Sequence, residues 1–326
     1  MTAMPTILDP TDLSIEIAAD ALRAGRPVAF PTETVYGLGA LTLDATGCAE
    51  VYRMKGRPAG NPLIAHVLDA AGAREIASAW CPRCDELASR LWPGPLTIVV
   101  ARRPEVPGVA VGGRPTIAVR SPSHPVARRL LEELGGAAVS APSANRWGRI
   151  SPTSARHVAE EFVAEDDLVV LDGGRSQLGL ESTVIDLSGE RPTLLRPGSV
   201  TLEALREILG EVDAPEIQEQ GASPGTAARH YAPRTPATLV PFGGVRDALA
   251  GQRAPAAVLC FDSSHVPSPH TATAMPRDAA VYASALYDAL RSVDSLGCAR
   301  IVIEAPPSAD GLWRAVVDRL RRATTA

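Results

Sequence analysis

PVAFPTETVYGLGA, residues 27–40, joins a short β-rich run to a segment rich in hydroxyl groups and glycine. A strand that leaves a sheet in this way carries Thr, Glu and Tyr side chains to the carboxyl edge of the sheet, where α/β folds bind ligands. Gly37 and Gly39 would permit close backbone approach. The segment matches neither the Walker nor the dinucleotide-binding pattern, and a glycine-rich turn from strand to helix is also common as plain architecture. It therefore predicts an α/β fold and leaves the ligand open.

Short β-rich runs alternate with helical stretches over the first two thirds of the chain. The predicted strands are PVAF (27–30), LIAHVL (63–68), PLTIVVAR (95–102), TIAVR (116–120), AAVS (137–140), LVVLD (168–172), STVIDL (182–187) and TLLR (193–196). The predicted helices include ATGCAEVYRM (45–54), CDELASRLW (84–92), PVARRLLEEL (125–134) and SARHVAEEF (154–162). Because several later strands follow one another without a helix between them, we expect a mixed sheet.

The pattern changes after this part of the chain. Residues 209–235 have no sustained period and are punctuated by Pro and Gly, so they predict a long linker, and its SPGTAARHYAP segment favours a functional loop. Beyond it, strands ATLV (237–240), AAVLCF (256–261) and RIVIEA (300–305) alternate strictly with helices VRDALA (245–250), AVYASALYDALRSV (280–293) and GLWRAVVDRLRRA (311–323). The sequence thus predicts a domain at residues 1–208, a linker at 209–235 and a small Rossmann-like parallel α/β domain at 236–326.

Composition excludes some classes of protein. The 326 residues are 45% hydrophobic and 21% charged, and no apolar run is long enough to span a bilayer. The N-terminus shows no export signal, so we expect a cytoplasmic protein. The formal net charge of -5 argues against nonspecific coating of nucleic acid, although it allows a local basic cleft.

The five cysteines include one close pair, in the CPRC segment at residues 81–84. A zinc site needs a second pair or histidines at ligand spacing, and neither is present, so we predict no metal site. A redox pair is possible, but reduced thiols in a cytoplasmic protein, with Pro82 opening a helix, are the favoured interpretation.

The segment RMKGRPAGNPL, residues 53–63, contains Lys55, the only lysine in a chain with 32 lysines and arginines. Its compact ammonium suits phosphate oxygens, and Arg57 offers a planar bidentate fork. Together they indicate an anion clamp. The alternative is a surface turn with two solvated cations, since Gly56, Pro58, Gly60 and Pro62 make this a loop.

Further candidate residues follow other strands. His66 alone is more often a core histidine, and Arg120 is as well suited to a structural acid as to a ligand carboxylate. Ser151 or Thr153 is a candidate helix cap, yet that helix start also suits phosphate. Several cations, many hydroxyls and no nucleophile with a partnered base favour phosphoryl or nucleotidyl transfer over acyl-enzyme chemistry.

The ordered set of motifs resembles a known family. PTETVYGLG (31–39), KGRPAGNPL (55–63), SAPSAN (140–145), STVIDL (182–187), LRPGSV (195–200) and SPGTAARHYAP (223–233) are similar to those of the YrdC-like L-threonylcarbamoyladenylate synthases, in their long form with an extra C-terminal domain. The resemblance runs from Asp12 to Ala323, and the set is far more specific than any single motif. It implies a YrdC-like twisted mixed sheet with helices.

The resemblance also implies a reaction. L-threonine, bicarbonate and ATP with Mg²⁺ would give threonylcarbamoyl-AMP and pyrophosphate. A partner threonylcarbamoyl transferase complex would then modify the adenosine at position 37 of tRNA. The main alternative is a noncatalytic RNA-binding YrdC-like module, against which stand the net charge and the 4% of aromatic residues. The oligomeric state stays open.

Residue roles follow from the same resemblance. Threonine would be held by Thr34, His66, Arg120, Ala141 and Ser182, with Arg120 on its carboxylate. ATP would face Lys55, Arg57, Asn61, Thr116, Ser143, Asn145, Ser151, Arg196 and Tyr231, of which Lys55 and Arg57 would be catalytic. This chain departs from the family at Trp147, where a serine is usual, and at Ala227 and Ala228, where a basic and an aromatic residue are common. We expect the linker to close when ATP binds.

Overall fold

The computed structural model describes residues 4–214 and 229–325, in which the chain forms two β-sheets. The strands of the first part are β1 (Thr6–Leu8), β2 (Val28–Phe30), β3 (Gly37–Leu41), β4 (Ile64–His66), β5 (Leu96–Ala101), β6 (Thr116–Arg120), β7 (Val139–Ser140), β8 (Val169–Leu171), β9 (Thr183–Asp186) and β10 (Thr193–Arg196). Its helices are α1 (Asp12–Arg23), α2 (Ala45–Lys55), α3 (Ala70–Ile76), α4 (Pro82–Leu91), α5 (Pro125–Glu133), α6 (Ala155–Glu161) and α7 (Leu202–Leu209). Most of the expected linker, including Ala227 and Ala228, lies outside the described residues.

The first sheet has ten strands in the order β1-β8-β2-β3-β7-β4-β6-β5-β9-β10. β8 is parallel to β1 and β2, whereas β3 is antiparallel to β2 and β7. β4 and β6 are parallel, and their register places His66 beside Arg120 at the carboxyl ends of both strands. The prediction of a mixed sheet is confirmed, and its register gathers polar residues at one edge.

The glycine-rich segment forms a strand where the sequence suggested a turn into a helix. Gly37–Leu41 is β3, which returns antiparallel to β2. A Cβ atom on Gly39 would lie 2.6 Å from Val139 Cγ1 and 2.9 Å from Phe30 Cε1, closer than van der Waals contact allows. Glycine is therefore needed at position 39 for the packing of neighbouring side chains onto the sheet.

Some elements are absent from the sequence-based prediction. Helix α1 begins after Thr11, whose hydroxyl accepts a hydrogen bond from Ser14 N at 3.2 Å, and its apolar face packs near α5. The buried positions of that face are Ile15, Ala18, Ala19 and Leu22. Their spacing of three and four residues is the helical signal that identifies α1 in retrospect.

The second part contains β11 (Ala237–Val240), α8 (Val245–Leu249), β12 (Ala256–Cys260), β13 (Thr271–Ala274), α9 (Ala279–Asp294), β14 (Arg300–Glu304) and α10 (Trp313–Thr324). Its strands lie in the order β11-β14-β12-β13, and every pair is parallel, as predicted. The strict alternation of strand and helix is not observed, because β13 follows β12 after only a short 3₁₀ turn. The TATA sequence of β13 lies at the sheet edge and lacks the apolar pattern of a buried strand.

The two parts share a hydrophobic cluster. It joins Val35, Ile150 and Leu180 of the first part to residues of α9 and α10, with Tyr231 between them. Gly179 has a φ of 67°, and a Cβ there would lie 2.6 Å from the Cα of Ser284 in α9. The second part therefore packs directly against the edge of the first sheet where the polar residues gather. Within the described residues, no helix combines the length and hydropathy needed to cross a membrane.

Candidate active site

A narrow cavity lies at this sheet edge and is lined by several separate segments of the chain. Its volume is about 40 Å³, which is room for roughly three water molecules. Of the predicted site residues, its walls include Thr34, Arg57, His66, Arg120, Ala141, Ser143, Ser182, Arg196 and Tyr231. The walls also include residues without a predicted role, namely Thr32, Val35, Gly37, Ile64, Pro142, Glu181 and His230.

Arg120 lies at the end of β6 and is held by two neighbours in the 31–36 loop. Its Nη1 donates to Thr34 Oγ1 at 2.8 Å, and its Nη2 lies 2.6 Å from Glu33 Oε1 in an ion pair that is 4% exposed on each side. Burial raises the pKa of Glu33, but the charge of Arg120 and hydrogen bonds from Ser123 N and other groups hold it below its usual value. The pair keeps the arginine fork in place at the cavity wall.

His66 lies beside Arg120 and packs edge-on against Phe30, with ring centroids 5.8 Å apart. Its Nδ1 is 3.1 Å from the carbonyl oxygen of Ile64. Burial, and then the positive charge of Arg120, lower the pKa of His66 from 6.5 to about 3. His66 is therefore neutral near pH 7.

We expect His66 to make the free energy of unfolding depend on pH. The unfolded chain protonates this histidine below pH 6.5, whereas the folded chain does so only near pH 3. Its contribution to stability is thus complete above pH 6.5 and falls, with a slope of up to ~1.4 kcal/mol per pH unit, as the pH decreases towards 3. When the free energy of unfolding is measured with urea at several pH values between 7 and 4.5, it should depend less steeply on pH in His66→Gln than in the wild type. The same slope in both proteins would contradict the expectation.

Ser182 and Arg196 form a second group on the neighbouring strands. Arg196 donates from Nε to the Ser182 carbonyl at 3.0 Å and from Nη2 to Ser182 Oγ at 3.1 Å. Ser182 Oγ is also 2.7 Å from Thr97 Oγ1. The serine hydroxyl is thus fixed at the cavity wall by the buried cation Arg196, which lines the same cavity.

Arg57 lines the cavity, but Lys55 and Asn61 lie behind its wall. Lys55 Nζ donates to the carbonyl oxygens of Ser143, at 2.6 Å, and Asn145. Burial, and then the charge of Arg57, lower the pKa of Lys55 well below its usual range. Asn61 Oδ1 accepts a hydrogen bond from Arg57 Nη2 at 2.8 Å. Lys55 therefore ties the 143–145 loop to the end of α2, and Asn61 orients the guanidinium of Arg57.

Some of the remaining residues that were predicted to face ATP line the cavity, and others do not. Ser143 lines the cavity and donates to Asn145 Oδ1 at 2.6 Å, and Asn145 Nδ2 donates to the carbonyl of Arg149 at 2.9 Å. Ser151 does not line the cavity, but its hydroxyl donates at 2.6 Å to Oε1 of Glu181, which does. Thr116 is not brought to the cavity, since it begins β6 and the cavity lies at the other end of that strand.

The chain just before the second part reaches into the cavity. Tyr231 is 1% exposed and has a φ of 60°, the only non-glycine residue with positive φ among the described residues. Its ring stacks on Tyr287 at 5.6 Å, and His230 packs edge-on against Trp147 at 5.0 Å. Trp147 in turn lies under the guanidinium of Arg57, at 5.1 Å. The departure at Trp147 therefore places an aromatic surface between an active-site cation and the end of the linker.

Glu181 and His230 line the cavity and Glu33 pairs with Arg120 beside it, yet none of the three was among the predicted site residues. Each adjoins a residue that was predicted, namely Thr34, Ser182 and Tyr231. Burial raises the pKa of Glu181, but Arg319, Arg196 and hydrogen bonds keep it below its usual value. The available signal was position, because Glu33 and His230 lie within quoted motifs and Glu181 directly precedes one. The arrangement as a whole provides one carboxylate-binding arginine, two further buried arginines and several fixed hydroxyls, which suits a zwitterionic ligand beside a phosphate-bearing one.

Two protein families match successive parts of the chain. The family of Sua5, YciO and YrdC, described as "Telomere recombination", matches residues 20–198. The family described as "Threonylcarbamoyl-AMP synthase, C-terminal domain" matches residues 200–325. Among curated proteins, the threonylcarbamoyl-AMP synthase of Pyrococcus abyssi is 39% identical over 323 residues, covering 95% of this chain and 94% of the relative. The threonylcarbamoyl-AMP synthase of Bacillus subtilis is 35% identical over 329 residues, covering 97% of this chain and 94% of the relative.

Solved structures agree with these matches. A double-alanine variant of P. abyssi Sua5 superposes with a TM-score of 0.91 at 35% identity, covering 98% of this chain and 96% of that one. The P. abyssi Sua5 structure in complex with L-threonine superposes with a TM-score of 0.89 at 35% identity, covering 98% of this chain and 97% of that one. The expected fold, a large mixed sheet with a smaller parallel one, is confirmed. The chain belongs to the Sua5/YciO/YrdC family, in the form that carries the Sua5 C-terminal domain.

Proposed function

We propose that this chain is an L-threonylcarbamoyladenylate synthase, a nucleotidyltransferase that forms threonylcarbamoyl-AMP and pyrophosphate from L-threonine, bicarbonate and ATP. The observation that carries the proposal is the convergence of Arg120 with Arg57 and Arg196 on one cavity. The first cation suits an amino-acid carboxylate, and the other two suit phosphates. The names of the full-length relatives and the L-threonine in the P. abyssi Sua5 structure support this assignment.

Threonine would lie at the Arg120 side of the cavity. Its carboxylate would replace part of the present contact of Arg120 with Thr34, and Glu33 would keep the guanidinium oriented. Neutral His66 and the fixed hydroxyl of Ser182 would contact the side chain and the amine, and Ala141 would close the wall. The threonine amine and bicarbonate would condense to a carbamate with loss of water.

ATP would lie at the Arg57 and Arg196 side. A carbamate oxygen would attack the α-phosphorus as the bond to the pyrophosphate oxygen breaks, and buried cations would offset the charge that develops. Burial lowers the pKa of Arg57 only to about 10, so it stays charged at neutral pH. Lys55, Asn145 and Ser151 would act by holding the walls. No covalent enzyme intermediate is needed.

A cavity of about 40 Å³ is far smaller than the several hundred Å³ of a typical ligand site. We therefore propose that His230 and Tyr231 leave their present position when ATP enters, and that Tyr231 afterwards covers the nucleotide. Closure of the linker upon ATP binding stays a prediction, since residues 215–228 are outside the described part of the chain.

Mg²⁺ would enter with the ATP phosphates as its ligands. Glu181, which lines the cavity, and Glu33, which lies behind Arg120, are both paired with arginine. The described residues contain no cluster of three or more metal-binding side chains. The protein residues thus do not by themselves form a magnesium site, and no step of the mechanism is assigned to one. A bound Mg²⁺ would add to the charge compensation of the phosphates.

We also propose the division into residues 1–208, 209–235 and 236–326. It is supported by the end of α7 at Leu209 and the start of β11 at Ala237. The proposed acceptor of the product is a threonylcarbamoyl transferase complex acting on adenosine 37 of tRNA. The proposed location is the cytoplasm, where ATP and tRNA are found.

Pyrophosphate release from MgATP tests the function. With each common amino acid supplied in turn, we expect release to depend strongly on both L-threonine and bicarbonate, and threonylcarbamoyl-AMP to appear by mass spectrometry. L-Serine, which lacks one methyl group, is the matched control substrate and should be used less well. No stimulation by any amino acid, together with salt-dependent binding of labelled RNA, would favour the noncatalytic RNA-binding module instead.

A further inference from the structure

One arginine of the last helix reaches the wall of the cavity from the C-terminal part. Arg319 of α10 is fully buried, and its Nε donates to Glu181 Oε2 at 3.0 Å. Its Nη1 donates to the carbonyl of Pro197 at 2.9 Å, and its guanidinium carbon lies 5.4 Å from the centre of the Tyr231 ring. One side chain of the C-terminal part thus contacts both a cavity-lining carboxylate and an aromatic residue that lines the same cavity.

Arg319 pairs with one carboxylate of each part of the chain when the two parts are docked. Glu181 of the first part accepts hydrogen bonds from Arg319 and, at 2.8 Å, from the Tyr287 hydroxyl of α9. Asp318 provides a second carboxylate, 2.8 Å from Arg319 Nη1. A buried carboxylate or guanidinium without its partner is strongly unfavourable. Separation of the parts would remove the paired guanidinium of Arg319 from Glu181 and leave only the nearby charge of Arg196, so the ion pair favours the docked arrangement.

Tyr231 needs support from its neighbours to stay where it is. Its φ of 60° is strained for a bulky residue, and its buried hydroxyl has no hydrogen-bond partner among the described residues. Favourable contacts come from the face of the Tyr287 ring and the guanidinium of Arg319. Both of these side chains belong to the C-terminal part.

We propose that Arg319 is a positioning residue of the active site: by pairing with Glu181 and supporting the Tyr231 ring, it holds residues 230–231 in the cavity against the entering nucleotide. The identity of that nucleotide as ATP rests on the proposed function, whereas the contacts of Arg319 do not. The C-terminal part thereby sets how readily the cavity opens. Loss of Arg319 should favour an open arrangement, in which residues 230–231 have left the cavity before ligand binds. Apparent nucleotide binding should therefore become tighter.

The test uses the full chain and a variant that keeps the buried charges balanced. In Arg319→Met with Glu181→Gln, both charges of the pair are removed. The glutamine oxygen can accept from one of the Ser151 and Tyr287 hydroxyls, and the glutamine amide group can donate to the other. Arg321→Met is the matched control, since Arg321 is exposed on the same helix. Binding of a noncleavable α,β-methylene analogue of ATP is measured by calorimetry. Emission of Trp147, which contacts His230, is obtained by subtracting the spectrum of the same protein carrying Trp147→Phe.

We expect the double variant to bind the analogue about fivefold to tenfold more tightly. This gain corresponds to a fivefold to tenfold increase in the fraction of ligand-free protein whose cavity is open to the nucleotide. Without ligand it should show the Trp147 emission that the wild type shows only with the analogue, and Arg321→Met should match the wild type. A folded double variant with unchanged or weaker binding and unchanged emission would overturn the proposal, since a merely structural role predicts no gain in affinity. If the double variant does not fold, Arg319→Lys is tested instead. A smaller gain in affinity and a smaller change in Trp147 emission would support the proposal, and no change in either would overturn it.

Failure of the proposed function gives a different result. A wild type that does not bind the analogue would contradict an ATP site. The emission of Trp147 in the ligand-free variant would still report whether Arg319 holds residues 230–231. A shift in that emission supports the positioning role, and its absence in folded protein overturns it.

Discussion

Replacement of Arg120 by alanine is expected to lower threonine-dependent pyrophosphate release by at least ~100-fold. The change removes a buried guanidinium fork, and charge-assisted hydrogen bonds to a carboxylate are among the strongest that a site provides. It also leaves Glu33, 4% exposed, without its ion-pair partner, which should lower the free energy of unfolding by ~3–5 kcal/mol. Steady-state kinetics with threonine as the varied substrate and urea unfolding measure the two effects.

A second variant separates the loss of stability from the loss of binding. With Arg120→Ala and Glu33→Ala together, no carboxylate is left buried alone, so stability should recover in part while activity stays low. Arg156→Ala is the surface control, because its pair with Glu160 is exposed and should contribute less than ~1 kcal/mol. Normal use of threonine by a folded Arg120→Ala protein would exclude a role for Arg120 in holding the substrate carboxylate.

Replacement of Lys55 by arginine is expected to reduce turnover by ~100-fold, although the charge is retained. Lys55 is 2% exposed, and its ammonium fits between the carbonyl oxygens of Ser143 and Asn145. A planar guanidinium is larger, so it should displace this loop and cost ~1–3 kcal/mol of stability through overpacking. Because Ser143 lines the cavity, displacement of the loop should also move the groups that face ATP. Turnover and thermal unfolding are the measurements.

Lys55→Met distinguishes the two explanations for the single lysine. Methionine fills similar volume but removes the lysine donor from the Asn145 carbonyl oxygen, at ~1–3 kcal/mol, while the Ser143 carbonyl oxygen keeps its hydrogen bond from Asn145 N. If Lys55 only holds the loop, both variants should lose stability and activity in proportion. If its ammonium also follows the phosphates during the reaction, Lys55→Met should lose far more activity than stability. Turnover near that of the wild type in Lys55→Arg would contradict both explanations.

Much of the cavity could be predicted from the sequence because its residues lie in short motifs at strand ends. Arg120 and His66 end neighbouring strands. Residue type alone left the role of each open, and the resemblance to a family supplied the expectation that they belong to one site. Thr116 was expected to face ATP from the same strand, but it lies at the opposite end from Arg120 and does not line the cavity. A motif identifies a segment, whereas the direction of the strand decides which of its residues reach the site.

The sequence by itself determined the fold class, the two α/β parts and the motifs that surround the cavity, because local periodicity and turn residues are encoded over a few neighbouring positions. Only the tertiary structure decided which buried charges meet. Glu33 reaches Arg120 across 87 positions, and Glu181 reaches Arg319 across 138. Such pairs depend on strand register and on the docking of α9 and α10 against the first sheet. No local pattern encodes these contacts, and they determine that the C-terminal part completes the wall of the cavity.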